Sequence, residues 1–236
     1  MIELGYVNIV LDSCRFDSFA RAEKEIFNDA ECRKTWANHT VPVFTSSVCY
    51  GKVPGGRFGP GKPTLHFLKD LHDNGTSTYF YTDNPHLHPT VSPVRELFPY
   101  FTEYVCFDNP YNDLYKILHY AQLVFKHSDD DFVMWLWLGN THQHYSYGSD
   151  TINWLDLRKR SKNLDDDTLR RLHARQVYVV EQTIRTIHRL IYDYFEYHDV
   201  CLWSDHGVCF GEGDRFGHGF GNEDALFDVP FWRNKK

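Results

Sequence analysis

The chain has 236 residues, of which 42% are apolar and 24% charged, and its formal net charge is −7. That length buries a sizeable core, and the acidic balance leaves no electrostatic footprint for nucleic acid. No apolar run approaches the ~20 residues a bilayer span needs and no charged-then-apolar leader precedes the first strand, so a cytoplasmic protein off the membrane is expected.

Residues 5–14, GYVNIVLDSC, are an apolar run closing on Asp12 and read as a buried strand. In 37–51, ANHTVPVFTSSVCYG, Thr40 stands two residues before Pro42 and a helical stretch. The pattern predicts Thr40 as the helix cap, beside free backbone N–H groups and the positive end of the helix dipole. The Gly/Pro-rich 51–63 reads as a linker inside one domain. Residues 64–75, TLHFLKDLHDNG, carry Leu65, Leu68 and Leu71 at helical spacing before a Gly stop. Residues 77–82 and 102–107 are short β-branched and aromatic runs, predicted as strands. Residues 113–126 are a second helix, 131–140 (DFVMWLWLGN) a buried strand, and 165–195 a long helix opened by acids. Residues 200–207, VCLWSDHG, are the next strand, breaking into Asp205 and His206.

Strands thus alternate with helices and are apolar throughout, not on alternate residues. This predicts one α/β domain over residues 1–236, a three-layer α/β/α sandwich with a mainly parallel sheet. The cysteines, at positions 14, 32, 49, 106, 201 and 209, form no Cys-x-x-Cys pair and are expected as reduced thiols. Parallel strands put their carboxyl ends on one edge, where Asp12, Asp205 and His206 could converge. Two carboxylates and an imidazole suit a divalent cation such as Zn²⁺ or Mn²⁺, with Mg²⁺ or Ca²⁺ as alternatives. A Thr40 hydroxyl beside that cation would be a low-pKa nucleophile.

In family order, these segments resemble the alkaline phosphatase superfamily on its sulfatase-like branch. NIVLDSCRFDSF is similar to the family's opening strand, HTVPVFTSSVCYGKVP to its nucleophile segment, and TDNPHLHP (82–89) to the loop after a family strand. NTHQHYSYG (140–148) resembles the middle segment, RQVYVVEQTIRTIHRLI the long family helix, and SDHGVCFGEGDRFGHG with DVPFW the terminal motif. The resemblance implies an alkaline phosphatase-like fold with Asp12, Asp205 and His206 as metal ligands. It implies Thr40 as nucleophile and further ligand, with His142 and His218 facing the substrate. Arg15 matches a family arginine, with an ion pair to Asp17 as the competing role.

The departures are informative. Formylglycine sulfatases need Cys or Ser followed by x-Pro-x-Arg, whereas this chain has TVPVF, with Phe44 at the arginine position. His144 replaces the usual proline, so a second metal near His142, His144 or His218 stays open, although Asn140 is a poor ligand where two-zinc members have Asp. The expected activity is metal-dependent hydrolysis or transfer of a phosphate mono- or diester, or a related oxyanion ester. The alternative is a non-catalytic, metal-stabilised module that binds an anion or a protein. The resemblance implies a C-terminal subdomain that the short run after DVPFW does not hold, so an open pocket covered by a homo-oligomer or a partner subunit is expected. Tyr145, Tyr147 and Trp154 suggest an aromatic leaving group. His66, His72, His119, His173 and His188 fall at surface-like helical positions and receive no role.

Overall fold

The computed structural model describes residues 5–57, 66–91, 94–128, 131–142, 145, 164–219 and 221–234. Its frame is a seven-stranded sheet of β1 (Tyr6–Leu11), β2 (Glu31–Lys34), β5 (Ser77–Thr82), β6 (Glu103–Cys106), β7 (Phe132–Leu138), β8 (Asp199–Ser204) and β11 (Asp228–Arg233). The strand order is β2-β11-β8-β1-β7-β5-β6, and the five strands from β8 to β6 run parallel. β11 pairs antiparallel with both β8 and the edge strand β2.

Alternation along each strand feeds two cores. Ile9 and Leu11 of β1, Leu136 and Leu138 of β7 and Leu202 of β8 face one side. There they meet α1 (Phe16–Arg21), α5 (Leu114–His127) and the 26-residue α6 (Asp166–Ile191) through Phe19, Leu118 and Ile184. Val10, Trp135, Trp137 and Trp203 face the other side, against α2 (Thr40–Tyr50) and α3 (Phe67–Asp73) through Val43, Phe44 and Leu68. Both faces are covered, which is why the strands carry no polar alternation. The expected three-layer sandwich is the observed architecture, with the short α4 (Val94–Leu97) and α7 (Asp224–Phe227) as further helices.

Three sequence expectations differ in detail. β2 and β11 were not foreseen. β2 reads ECRK with all four residues exposed, so it carries no apolar signal. β11 contains Pro230, which pairs only with Cys32 of β2, outside the part of the strand bonded to β8. The segment read as a linker begins with a small hairpin, β3 (Lys52–Val53) and β4 (Gly56–Arg57), turning at Pro54 and Gly55 with Gly55 at φ +80°. Of the helix predicted over 64–75, residues 67–73 are helical, and Leu65 lies outside the described residues. A further small hairpin, β9 (Cys209–Phe210) with β10 (Phe216–Gly217), follows the terminal motif.

Candidate metal and phosphoryl site

Sheet register builds the site. Leu11 lies opposite Ser204 of β8 and Leu138 of β7, so the residues leaving these three adjacent strands emerge at one level. β1 delivers Asp12, β8 delivers Asp205 and His206, and β7 leads through the turn Gly139–Thr141 to His142. β5, whose Thr82 faces Trp137, delivers Asp83 and Asn84 to the same edge.

Asp12, Asp205 and His206 are each 0% exposed, and one ligand atom from each lies within 4.8 Å of the others. It is the one such cluster of three or more His, Cys, Asp or Glu among the described residues. The turn that supports it is held tightly. Ser13 takes φ +59°, and its N–H donates to Asp205 Oδ1 at 2.8 Å. Cys14 N–H donates to Ser204 Oγ at 2.8 Å, and the Ser204 hydroxyl donates to Leu11 O at 2.5 Å. Asn84 Nδ2 donates to Asp12 Oδ2, and Thr35 Oγ1 donates to Asp205 O at 2.7 Å.

The protons on the site follow from its partners. His206 Nδ1 lies 2.8 Å from Gly207 O, an atom that only accepts, so Nδ1 carries the proton and Nε2 a lone pair. That lone pair is 3.4 Å from Asp205 Oδ2, a buried oxygen with no hydrogen-bond partner among the described residues. Burial and the adjacent Asp205 carboxylate push the Asp12 pKa up, burial pushes Asp205 up, and burial holds His206 below its ordinary value. Two carboxylates and a neutral imidazole converging on shared space, one oxygen left without a donor, fit a divalent cation by both charge and donor type.

Thr40 sits at this edge, 2% exposed, with Oγ1 3.3 Å from His206 Nε2. It is the first residue of α2, not its cap. The cap is His39, whose side chain accepts from Val41 N–H, and this frees the Thr40 hydroxyl from the expected capping role. Pro42 in the first turn removes an N–H that no helical carbonyl could have met. Gly51, at φ 62°, ends α2 in the left-handed conformation.

His218 and His142 complete the wall. The His218 ring lies 4.3 Å from that of His206, centroid to centroid, and its Nε2 is 3.1 Å from His142 Nε2. Burial and the surrounding imidazoles push the His218 pKa well down, so His218 is a neutral ring that shares one N–H with His142 across this contact. His144, Tyr147 and Trp154 lie outside the described residues. Tyr145 is not a substrate-facing aromatic: its ring is fully buried against Leu172, Val179 and Phe216. Arg15 takes the structural role, bridging Asp17 and Glu212 at 2.7 and 2.6 Å. His173 is not a surface residue either; it stacks on Phe210 with ring centroids 4.9 Å apart and approaches Asp17 at 3.5 Å.

Gln176 was missed by sequence reasoning. It is wholly buried on α6, donates to Ser13 O (2.9 Å) and Thr141 O (3.3 Å), and accepts from Ser18 Oγ (2.6 Å). One side chain thus ties the turn after Asp12 to the turn before His142. Its signal was a polar residue inside the stripe of Leu172, Val180 and Ile184. Gln176→Ala strands these buried groups and is expected to destabilise the protein by about 3 kcal/mol, a fall in melting temperature near ~10 °C. A thermal melt within ~2 °C of the parent would show that water replaces these bonds.

No protein-family model and no curated protein matches the chain in sequence. Among solved structures, the chain is similar to the C-terminal periplasmic domain of phosphoethanolamine transferase EptC from Campylobacter jejuni. That likeness has a TM-score of 0.66 at 13% identity and covers 98% of this chain and 80% of that one. The chain is also similar to a protein in the alkaline phosphatase superfamily from Vibrio parahaemolyticus, with a TM-score of 0.54 at 12% identity over 98% and 60% of the two chains. The fold is alkaline phosphatase-like. A third structure with this alkaline phosphatase-like fold is the C-terminal periplasmic domain of EcEptC from Escherichia coli in complex with Zn. It gives a TM-score of 0.63 at 12% identity, covering 97% of this chain and 72% of that one. No helix among the described residues is long and apolar enough to cross a membrane.

Proposed function

We propose that the chain is a metal-dependent phosphoester hydrolase or transferase that works through a Thr40 nucleophile. The observation carrying this reading is the Thr40 hydroxyl, buried at the start of α2 and 3.3 Å from the lone-pair nitrogen of His206, at the edge of the carboxylate pair. The likeness to phosphoethanolamine transferase domains, one of them in complex with Zn, supports it.

Asp12, Asp205 and His206 would hold the cation, with Zn²⁺ or Mn²⁺ suited to the mixed oxygen and nitrogen donors. When bound, the cation lowers the pKa of the Thr40 hydroxyl and offsets charge on the phosphoryl oxygens. Thr40 Oγ1 forms the new bond to phosphorus as the ester P–O bond breaks, leaving phosphothreonine and a free alcohol. The His142–His218 pair turns its shared N–H to a non-bridging oxygen, an interaction that strengthens as charge builds there. The first turn of α2 adds its dipole to the same end. Attack by water completes a hydrolase cycle, and attack by an acceptor alcohol or amine completes a transfer. Six free thiols among the described residues suit the expected cytoplasmic setting, and fractionation of the native protein tests that assignment.

Aryl phosphate mono- and diesters are expected to turn over at least ~100-fold faster than aryl sulfates, because TVPVF provides no formylglycine precursor. A paired assay with p-nitrophenyl esters of both acids measures this ratio. Sulfatase activity without phosphoesterase activity would sink the reading. Added amines or alcohols that raise release of the nitrophenol without raising free phosphate would assign transfer over hydrolysis.

A further inference from the structure

The loop after β6 carries a residue in an unfavourable backbone state beside the site. Tyr111 has φ +59°, a conformation a bulky side chain rarely adopts, and it is only 5% exposed. Its N–H donates to Asp83 O at 3.0 Å. Asp83 in turn accepts from Gly139 N–H (2.8 Å) and Asp113 N–H (3.0 Å), so one buried carboxylate ties the far end of the loop to the residue that follows β7. Gly139 is matched to this arrangement, because a Cβ there would lie 2.7 Å from Tyr111 Cδ1 and 2.7 Å from Asp83 Oδ1.

This packing sets the Tyr111 ring parallel to His142, with centroids 4.5 Å apart and planes 7° apart. His142 is itself tied to the same turn, its N–H donating to Gly139 O at 2.9 Å. The imidazole torsion about its last bond is broad when unsupported. A ring clamped on one face is not free to sample it. His142 Nε2 meets His218 Nε2 at 3.1 Å, and His218 lies over His206, so the orientation of one ring passes to the next.

We propose that Tyr111, seated on Gly139, is a positioning residue that fixes the ring plane of His142 and, through it, aims the His142–His218 pair at the transferred phosphoryl group. The second half of this inference rests on the function proposed above; the first half does not. The strained backbone at position 111 goes with the placement of a flat ring against His142.

The test compares Tyr111→Phe with Tyr111→Asn, since asparagine suits the left-handed backbone and lacks the ring. In the wild-type protein the His142 ring protons, assigned against His142→Gln, are expected upfield of a free imidazole because they sit under an aromatic face. Tyr111→Phe should keep that displacement and hold kcat on bis(p-nitrophenyl) phosphate within about 3-fold, whereas Tyr111→Asn should lose it and lower kcat about 10- to 100-fold with KM little changed. A wild-type His142 without the displacement overturns the proposal whether or not the variant folds. A folded Tyr111→Asn protein with wild-type kcat overturns the aiming role. If the wild-type protein puts no phosphate on Thr40, the functional reading has failed, and the His142 shifts alone then decide whether Tyr111 fixes its ring.

Discussion

Thr40→Ala is expected to lower turnover of an aryl phosphate by roughly 10⁴–10⁶-fold, the loss typical when a covalent nucleophile is removed. The effect on folding should be small. Thr40 is the first helical residue, and His39 keeps the cap, so the change removes the hydroxyl's contacts to His206 and the Asp205 carboxylate and costs about 1 kcal/mol. Metal binding should survive, because Asp12, Asp205 and His206 are untouched. Thr40→Ser keeps the hydroxyl and loses a methyl group, and should recover part of the rate. Steady-state kinetics alongside a melt and metal analysis separates these outcomes. An Ala variant that unfolds yet retains its rate per folded molecule would return Thr40 to a structural role.

Asp12→Asn and Asp205→Asn should each weaken divalent-metal affinity by more than the 10- to 100-fold usual for outer-shell changes, and turnover should fall with it. Each substitution is nearly isosteric, so the loss reports charge and not shape. Without metal, Asp12 is pushed up to about 8 and Asp205 to about 7, chiefly by burial. Both lie above the ordinary carboxylate value of 3.8, so the metal-free fold holds more protons than the unfolded chain between those limits. The two carboxylates therefore take stability from the metal-free fold as pH rises toward 8, while the depressed His206 and His218 act the other way below 6.5, so the carboxylate effect stands alone above that value. A bound cation offsets the paired charges, so the loss should shrink in saturating Zn²⁺ or Mn²⁺, and affinity should rise over the same range. Melts at about pH 6.5 and about pH 8, above the range where the histidines contribute, with chelator and with metal, test the sign. Stability that rises with pH in chelator would contradict the placement of two uncompensated carboxylates.

The site was legible where chemistry stands at the ends of apolar strands. VNIVL ends in Asp12 and CLWS in Asp205 and His206, and the parallel register brings them together. The fold class was legible for the same reason: a strand buried on both faces cannot alternate, and these do not. What was missed lacks such a signal. The edge strand β2 is exposed and charged, and Pro230 disguises β11. Asn84 stood in plain view after STYFYT, yet only the fold shows that its amide holds Asp12. Thr40 was assigned the cap because threonine favours that position, whereas the helix begins one residue earlier than that reading required, with a histidine ring doing the capping. Tyr145 and His173 looked solvent-facing because the hairpin of Phe210 and Phe216 that covers them follows in sequence long after both.

The central claim is that Thr40 carries the phosphoryl group between leaving group and acceptor. Its most direct test is an acid quench of metal-loaded protein during turnover of bis(p-nitrophenyl) phosphate, followed by peptide mass spectrometry. The account predicts a phosphorylated or aryl-phosphorylated peptide with the modification on Thr40, absent from Thr40→Ala and from protein stripped with chelator. Turnover with Thr40 unmodified, and the label instead on Ser46, Ser47 or no residue at all, would contradict it.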